Sequence, residues 1–187
     1  MILDEKSPVA ALKHQLKSAG INTDSWGIGK AKSLEDLHKE IENGKSSLII
    51  SANGEILRKV EVAKIDLFFN SPDGKKYKLI EDKRVYPDGR EKFRDTSHSV
   101  SKKINKIQTP HSAIKEALLK KLGLKGDLTL KENGVIEDTN MSPSYPGLRS
   151  VYIFYLFSAD LNPNDFKSNG YTEKHPEGVT IYTWKEI

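Results

Sequence analysis

The sequence predicts an α/β (α+β) fold, in which a mixed β-sheet carries packed helices and a short helical extension precedes it. Two segments before residue 45 and one at 111–122 have apolar residues at helical spacing. The segments between and after them are rich in β-branched and aromatic residues and are separated by turn dipeptides. With 187 residues, 36% of them hydrophobic, the chain is long enough to bury a sizeable core.

Three helices are predicted. The first spans residues 8–19. The second begins after Ser33 as its N-cap, but the shorter Asp36 stands where a capping box normally has glutamate or glutamine, so we expect an imperfect box. The third, at 111–122, has the strongest apolar stripe and ends at Gly123, the residue type that most often ends a helix.

Alternation and turn residues predict the strands 46–50, 56–69, 75–86, 90–95, 128–137, 150–160 and 179–184. The Asn53-Gly54 pair predicts a hairpin between the first two, and 60–95 has the pattern of an antiparallel meander. Loops are predicted at 97–108, 138–148 and 161–178, the last with one helical turn. We divide the chain into an N-terminal helical extension, 1–45, and a main domain, 46–187.

Composition excludes several classes of function. There is no cysteine, so disulfides, thiolate-bound metals and a cysteine nucleophile are excluded. The N-terminus lacks a signal-peptide pattern, and no apolar stretch approaches the roughly 20 residues that span a bilayer, so we expect a cytoplasmic protein with no membrane partner. The net charge of +4 permits binding to phosphates or nucleic acid, although mixed charges also suit an ordinary solvated surface.

The segment Lys102–Leu124 resembles the Nudix box, the metal-binding signature of the Nudix hydrolases. Leu118, Gly123 and Leu124 match the aliphatic, glycine and aliphatic positions near the end of that signature. The resemblance implies a strand, a loop, a helix and a second strand. In the family, glutamates on that helix hold Mg²⁺ or Mn²⁺, which binds a diphosphate and activates the attacking water.

The chemical positions of the box are not matched. Lys102 stands at the position of the box glycine, and Gln108 at that of the first glutamate. Glu116 and Ala117 stand at the positions of the arginine and the next glutamate. Lys120 and Lys121 stand at those of the final glutamate pair. A shift by one residue restores a basic-acidic pair at Lys115-Glu116, but it displaces Gly123 and still supplies no glutamate pair. Ammonium groups repel a divalent cation, so the resemblance implies a degenerate Nudix-like domain without the box metal.

The chain is also similar, over most of its length, to an uncharacterised Nudix-related group of plants and cyanobacteria. The similar segments are Leu12–Ile50, Glu81–Arg94, Ser142–Tyr152 and Trp184. Because this similarity includes the N-terminal helices, it implies that they belong to the same functional unit as the rest. It implies no particular reaction.

The candidate ligand-binding residues are cationic or aromatic side chains around the cleft that the resemblance implies. They are Arg84, Arg90, Arg94, Lys102, Lys106, Tyr145 and Arg149. Two prolines and a glycine shape the loop Ser142–Arg149, where Tyr145 offers a stacking surface and Arg149 a charged fork. A purely structural turn, and solubilising surface lysines and arginines, are the alternatives.

Two glutamates are candidate catalytic acids, and no residue is predicted to bind metal. Glu116 is the one carboxylate of the signature helix; the alternative is a solvated residue paired with Lys120 at i+4. Glu173 precedes the last strand, where some Nudix enzymes have a catalytic base.

Three functions remain open. The first is a binding module that recognises a nucleotide or other phosphate-containing ligand, a nucleic acid or a protein, without metal or another cofactor. The second is a hydrolase of a nucleoside diphosphate derivative, with Mg²⁺ held outside the signature helix by Glu81, Asp82 or Glu173. The third is an assembly protein that forms a homodimer through its N-terminal helices. Lys120 and Lys121 favour the first.

Overall fold

The computed structural model describes residues 7–94, 97–126 and 128–187. Within these ranges the helices are α1 (Pro8–Ser18), α2 (Leu34–Glu42) and α3 (Pro110–Leu122), with a 3-10 turn at Pro163–Asp165. The strands are β1 (Ser47–Ile50), β2 (Ile56–Asn70), β3 (Lys76–Val85), β4 (Glu91–Phe93), β5 (Val100–Lys103), β6 (Lys131–Met141), β7 (Arg149–Asp160), β8 (Tyr171–His175) and β9 (Gly178–Glu186).

All nine of these strands join in one sheet. Its main order is β6-β7-β2-β3-β9-β8, with β1 and β5 also paired to β2 and β4 paired to β3. The β1–β2 hairpin and the β2–β3–β4 meander are antiparallel, as predicted, although the last predicted meander residue, Asp95, lies outside the described ranges. The predicted class, a sheet with packed helices, is confirmed.

The helices begin and end close to the predicted positions. One prediction about them differs from the structure, and it concerns the capping box at the start of α2. The capping box there is complete: the backbone N–H of Ser33 donates to Asp36 Oδ2 at 3.0 Å, and that of Asp36 donates to Ser33 Oγ at 3.1 Å. The expectation of an imperfect box is wrong, because an aspartate is long enough to reach back here. At the end of α3, Gly123 takes a left-handed φ of 70° as expected.

The predicted loop 97–108 contains the strand β5. Val100 and Ile104 are 2% and 6% exposed, and the N–H of Ile104 donates to the Glu61 carbonyl at 2.9 Å. Only one β-branched residue lies within β5, beside two lysines, so the alternation is too short to show in the sequence. Pairing with β2 satisfies the backbone and buries the two apolar ends.

Two further boundaries differ from the prediction. The strand predicted at 128–137 is β6, which starts later and runs on to Met141, into the predicted polar loop. Polar residues are tolerated there because β6 is an edge strand and almost fully exposed. In the predicted loop 161–178, the helical turn is confirmed, but Tyr171–His175 forms β8, which pairs antiparallel with β9.

The chain forms two compact units. The first comprises the described residues up to Glu61 with Lys103–Ile107 and Glu137–Ile153; the second comprises Val62–Lys102, Gln108–Ile136 and Phe154–Ile187. The first unit therefore combines the N-terminal helices with segments from much later in the chain. A separate extension at 1–45 stays a prediction.

Each unit has its own buried apolar residues. In the first unit they include one cluster, formed by Leu12, Leu16, Trp26, Leu34, Leu37, Tyr145 and Leu148. In the second they include Ile65, Leu67, Leu79, Ala113, Ile114, Ala117 and Leu118, so the apolar stripe of α3 is buried against its own unit. Among the residues that the structure describes, no helix is long and apolar enough to cross a membrane.

Candidate functional site

Glu116 lies near the middle of α3 and is held by three side chains of the second unit. Lys102, from β5, and Lys120, one turn further along α3, both form ion pairs with its carboxylate, the latter at 2.7 Å. Gln108, just before the helix, donates a hydrogen bond to the same group. The predicted i+4 pair with Lys120 is confirmed. The hydrogen bonds from Lys102 and Lys120 lower the pKa of Glu116 to about 2.

Two of these four residues, Glu116 and Lys120, carry the reverse of the charge that the Nudix resemblance implies. Glu116 stands at the position of the box arginine, and it is contacted from the positions of the box glycine and of two glutamates, here Lys102, Gln108 and Lys120. Glu116 thus replaces an arginine and Lys120 a glutamate, whereas Lys102 replaces a glycine and Gln108 replaces a glutamate with a neutral amide. In this chain the four side chains form one cluster, in which two ammonium groups and an amide surround a single carboxylate.

The second candidate acid, Glu173 of β8, is also neutralised by a lysine of α3. Lys121 Nζ and the hydroxyl of Tyr182 each lie 3.0 Å from Glu173 Oε2. Tyr182 is 1% exposed, and burial, followed by the charge of Glu173, raises the pKa of its phenol well above 10. The hydroxyl of Tyr182 therefore stays a hydrogen-bond donor to Glu173 at physiological pH.

Glu81, an acid considered for the hydrolase alternative, lies on β3 directly opposite Tyr182 of β9. The strand pairing is irregular between Glu81 and Lys83, and such bulges are common beside functional sites. Arg94 Nε lies 3.0 Å from Glu81 Oε1, and Arg84 Nη2 lies 4.0 Å from it while Arg84 Nη1 contacts Glu177 at 3.5 Å. Arg84 and Arg94 thus neutralise acids of their own unit.

The carboxylates of this region do not fit the Nudix metal site. A divalent cation such as Mg²⁺ needs several oxygen ligands in one place. Glu116 and Glu173 are each held by lysine ammonium groups, and no three histidine, aspartate or glutamate side chains within 7–94, 97–126 and 128–187 converge on one point. The donor set on and around α3 thus consists of cations and amides that surround single carboxylates.

A cavity of about 510 Å³ lies beside α3. Lys115 and Glu116 line it from the helix, and Lys125 lines it from the segment after the helix. Its other side chains are leucines, at positions 118, 119, 124, 128 and 130. The cavity therefore joins an apolar wall to the charged groups around Glu116.

The remaining predicted ligand-binding residues have other surroundings. Arg90 lies at the exposed β3–β4 turn, with its Nε 2.6 Å from Asp88. In the first unit, Arg149 pairs with Glu55 at 3.1 Å and Lys106 lines a separate small cavity. Tyr145 is fully buried, with its ring centre 5.1 Å from that of Trp26, so its ring serves the core and offers no exposed stacking face.

Several residues of this region were not singled out from the sequence. Leu119 and Lys125 line the large cavity, and Tyr182, which lies opposite Glu81 in the sheet, donates a hydrogen bond to Glu173. Lys115 also lines the cavity, but the sequence singled it out only as part of a shifted register of the box. In the sequence, the alternation of the final strand places Tyr182 on one face with Thr180, and Leu119 is a leucine outside the apolar stripe of α3. In the structure Leu119 is 48% exposed. Neither sequence signal distinguishes a site residue from an ordinary one.

No protein-family model matches the chain, and no curated protein matches it. It is similar to solved structures of Nudix proteins. They include the Ap4A hydrolase of C. elegans (15% identity, TM-score 0.38, covering 68% of this chain and 80% of that one). Another is the NUDIX domain of Shewanella oneidensis NrtR, solved with ADP ribose (9% identity, TM-score 0.42, covering 68% and 73%).

A further similar structure is the Nudix hydrolase RenU from M. smegmatis (15% identity, TM-score 0.38, covering 75% and 79%). The NrtR domain and RenU bear the name of the family that Lys102–Leu124 resembles. With identities of at most 15% and TM-scores below 0.5, they carry no argument about the reaction or ligand of this chain.

Proposed function

We propose that this protein is a degenerate Nudix-like binding module, which binds a phosphate-containing small molecule of nucleotide size at α3 without a divalent metal. The observation that carries the proposal is the reversed charge pattern around Glu116, where Lys102 and Lys120 take positions that the family fills with other residue types. A metal in this place has to displace both ammonium groups from the carboxylate. For a phosphate group, the ammonium groups of Lys102 and Lys120 are suitable partners that are already close together.

The cavity along α3 supplies the space. Its volume of about 510 Å³ lies within the range of small-molecule sites, roughly 300–1,000 Å³. The leucines of its wall suit the apolar faces of a base, and Lys115 and Lys125 suit the phosphates. Of the cluster around Glu116, only Glu116 itself lines the cavity, but Lys102 and Lys120 both pair with it. A phosphate bound beside Glu116 therefore competes with this carboxylate for the two lysines.

The other predicted functions have no specific observation in their favour. The hydrolase alternative requires Mg²⁺ at Glu81, Asp82 or Glu173, but Glu81 and Glu173 are engaged by Arg94 and Lys121. Binding of nucleic acid, a homodimer through the N-terminal helices and a cytoplasmic location stay predictions. The experiment below also tests the hydrolase alternative, because it includes Mg²⁺ and a cleavage assay.

Isothermal titration calorimetry with ADP and ADP-ribose tests the proposal, in one series with EDTA and in another with Mg²⁺. We expect saturable binding in EDTA that changes little with Mg²⁺ and weakens with added salt, because lysine–phosphate contacts are screened. Lys115→Ala/Lys125→Ala should weaken it. The matched control Lys13→Ala/Lys17→Ala removes two lysines from α1 of the other unit and should bind like the wild type.

Two outcomes count against the proposal. Binding that appears only with Mg²⁺, together with release of product, supports the hydrolase alternative instead. Equal loss of binding in the two double-lysine variants shows that net charge attracts the ligand, without a site at α3.

A further inference from the structure

The first unit contains a cavity of about 200 Å³, which is smaller than the cavity along α3 in the second unit. It lies at the turn after α2, where Gly44, Lys45 and Ser46 line it. β2 contributes Lys59 and Glu61, and the segment after β5 contributes Lys106. All of these residues belong to the first unit, so this cavity is separate from the site proposed at α3.

The lining of this cavity has an excess of positive charge. It contains three lysines and one glutamate, Glu61, whose Oε1 lies 3.4 Å from Lys59 Nζ. The ammonium groups of Lys45 and Lys106 have no carboxylate partner within the part of the chain that the structure describes. Two unpaired ammonium groups beside one concave space create a local field that attracts an anion.

Ser46 supplies an independent observation. It is 6% exposed, and its hydroxyl has no hydrogen-bond partner among the described residues, although buried polar groups are nearly always paired. In its present rotamer the hydroxyl is buried away from solvent. Because Ser46 lines the cavity, a rotation about χ1 to another staggered rotamer changes the direction in which the hydroxyl points. A bound oxyanion would give this hydroxyl the acceptor that it lacks.

Gly44 explains why these groups meet. It has a left-handed φ of +63°, and a Cβ added to it would lie 2.9 Å from the backbone nitrogen of Lys106. The end of α2 can therefore approach the segment after β5 only with glycine at this position. The same close approach brings Lys45, Ser46 and Lys106 to one cavity.

We propose that this cavity is a second anion site, which binds a phosphate-sized dianion through Lys45, Lys106 and the hydroxyl of Ser46. Its volume of about 200 Å³ is below the range of sites for whole nucleotides, so the ligand is inorganic phosphate or the terminal phosphate of a small monoester. This site goes beyond the function proposed at α3 and does not depend on it.

Amide NMR spectra of the full chain, titrated with inorganic phosphate or glycerol 3-phosphate, test the site residue by residue. Sodium chloride at matched ionic strength is the reference. We expect saturable shifts at the amides of Ser46, Ser47 and Lys106 with at least one of the two phosphates, and small linear shifts with chloride. Saturation by glycerol 3-phosphate but not by inorganic phosphate would identify a monoester site.

Variants test the assigned groups. Ser46→Ala and Lys106→Gln should each raise the dissociation constant about tenfold, because each removes a hydrogen bond to a charged group. The control Lys13→Gln removes a lysine of the same unit, from α1, and should leave it unchanged. Unaltered amide dispersion in each variant shows that the fold is kept.

The proposal is overturned if neither phosphate gives saturable shifts at Ser46 and Lys106, or if Lys13→Gln weakens binding as much as the site variants do. Phosphate-induced shifts confined to α3 also overturn it, while leaving the function proposed there intact. Conversely, failure of ADP to bind at α3 does not affect the shifts expected here.

Discussion

Arg58 and Glu40 form a buried ion pair in the first unit, with Arg58 Nη2 2.5 Å from Glu40 Oε2. Lys32 contacts the other carboxylate oxygen at 2.6 Å, and Lys103 lies 3.3 Å from both. Glu40 comes from α2, Arg58 from β2 and Lys103 from β5, so one carboxylate joins three elements distant in sequence. Removal of this carboxylate leaves the buried guanidinium of Arg58 without a counter-charge.

Glu40→Gln is therefore expected to lower the free energy of unfolding by about 3 kcal/mol, since removal of one partner of a buried ion pair leaves the other uncompensated. Urea denaturation measures the change. The control is Glu55→Gln, which removes the partially exposed pair with Arg149 in the same unit. That variant should lose less than about 1 kcal/mol. Equal losses in the two variants would contradict the assignment.

The pH dependence of stability follows from the same carboxylate. Burial raises the pKa of Glu40, but the effects that lower this pKa, chiefly the hydrogen bonds from Lys32 and Arg58, together exceed the effect of burial. The resulting pKa is about 2, against an ordinary value of 4.5. Because the folded pKa is below the unfolded one, the ionised carboxylate stabilises the fold above about pH 4.5, and this contribution is lost as the pH falls towards 2.

The measurement is the difference in unfolding free energy between wild type and Glu40→Gln, from about pH 7 to about pH 3. It should be constant down to about pH 4.5 and shrink below that. Glu116, whose pKa is also about 2, titrates in both proteins and cancels in the difference. A difference that stays constant to the lowest pH would show that Glu40 does not carry the effect.

Trp26, in the segment between α1 and α2, contacts the loop before β7. Its indole N–H donates to the Pro146 carbonyl at 2.9 Å, and its ring packs on Tyr145. Trp26→Ala should cost about 3 kcal/mol or more through lost packing, and Trp26→Phe about 1 kcal/mol through the lost hydrogen bond. Ile28→Ala, at a site 69% exposed, is the control and should stay within about 0.5 kcal/mol.

Gly170 allows the backbone before β8 to pass close to β9. A Cβ at this residue would lie 1.9 Å from the Tyr182 carbonyl oxygen, and its φ is +73°. Gly170→Ala should therefore destabilise the protein more than Gly74→Ala. The latter also has a left-handed φ, of +87°, but its Cβ meets nothing within 4 Å. Thermal unfolding compares them: the control should lose about 1–2 kcal/mol, and equal losses would show that the strand moves aside.

The sequence predicted the elements whose signals are local. The capping residue Ser33, the terminal Gly123 and the Asn53-Gly54 turn each determine a boundary by their own chemistry, and the structure confirms all three. It did not predict β5 or β8, because four or five residues of mixed polarity become a strand only when a partner strand satisfies their backbone. Strand pairing is a tertiary effect.

In the candidate site, too, contacts within one element were predictable and contacts between elements were not. The i+4 pair of Glu116 and Lys120 was predicted from helix spacing alone, and it is present. The contacts of Glu116 with Lys102, and of Lys121 with Glu173, join separate elements, so no spacing rule predicts them. For Tyr145 the residue type suggested stacking, but the fold buries its ring beside Trp26.

The last prediction separates metal-free binding from metal-dependent hydrolysis with one substitution. Glu116→Gln removes the negative charge that now holds Lys102 and Lys120. If these lysines bind phosphate, the neutral variant should bind ADP more tightly than the wild type, by up to about fivefold, since exposed ion pairs are worth up to about 1 kcal/mol. Calorimetry in EDTA measures this gain.

The matched control is Glu132→Gln, which removes one negative charge from the exposed strand β6 of the same unit and contacts only His111 among the ion pairs of the described residues. It has the same effect on net charge, so any general attraction of ADP appears in it as well. If Glu116 instead served as a metal ligand, Glu116→Gln would bind ADP no better in EDTA and would lose any Mg²⁺-dependent binding or cleavage. The two mechanisms thus predict opposite changes from one side chain, because the same carboxylate is a competitor of phosphate in the first and a ligand of the metal in the second.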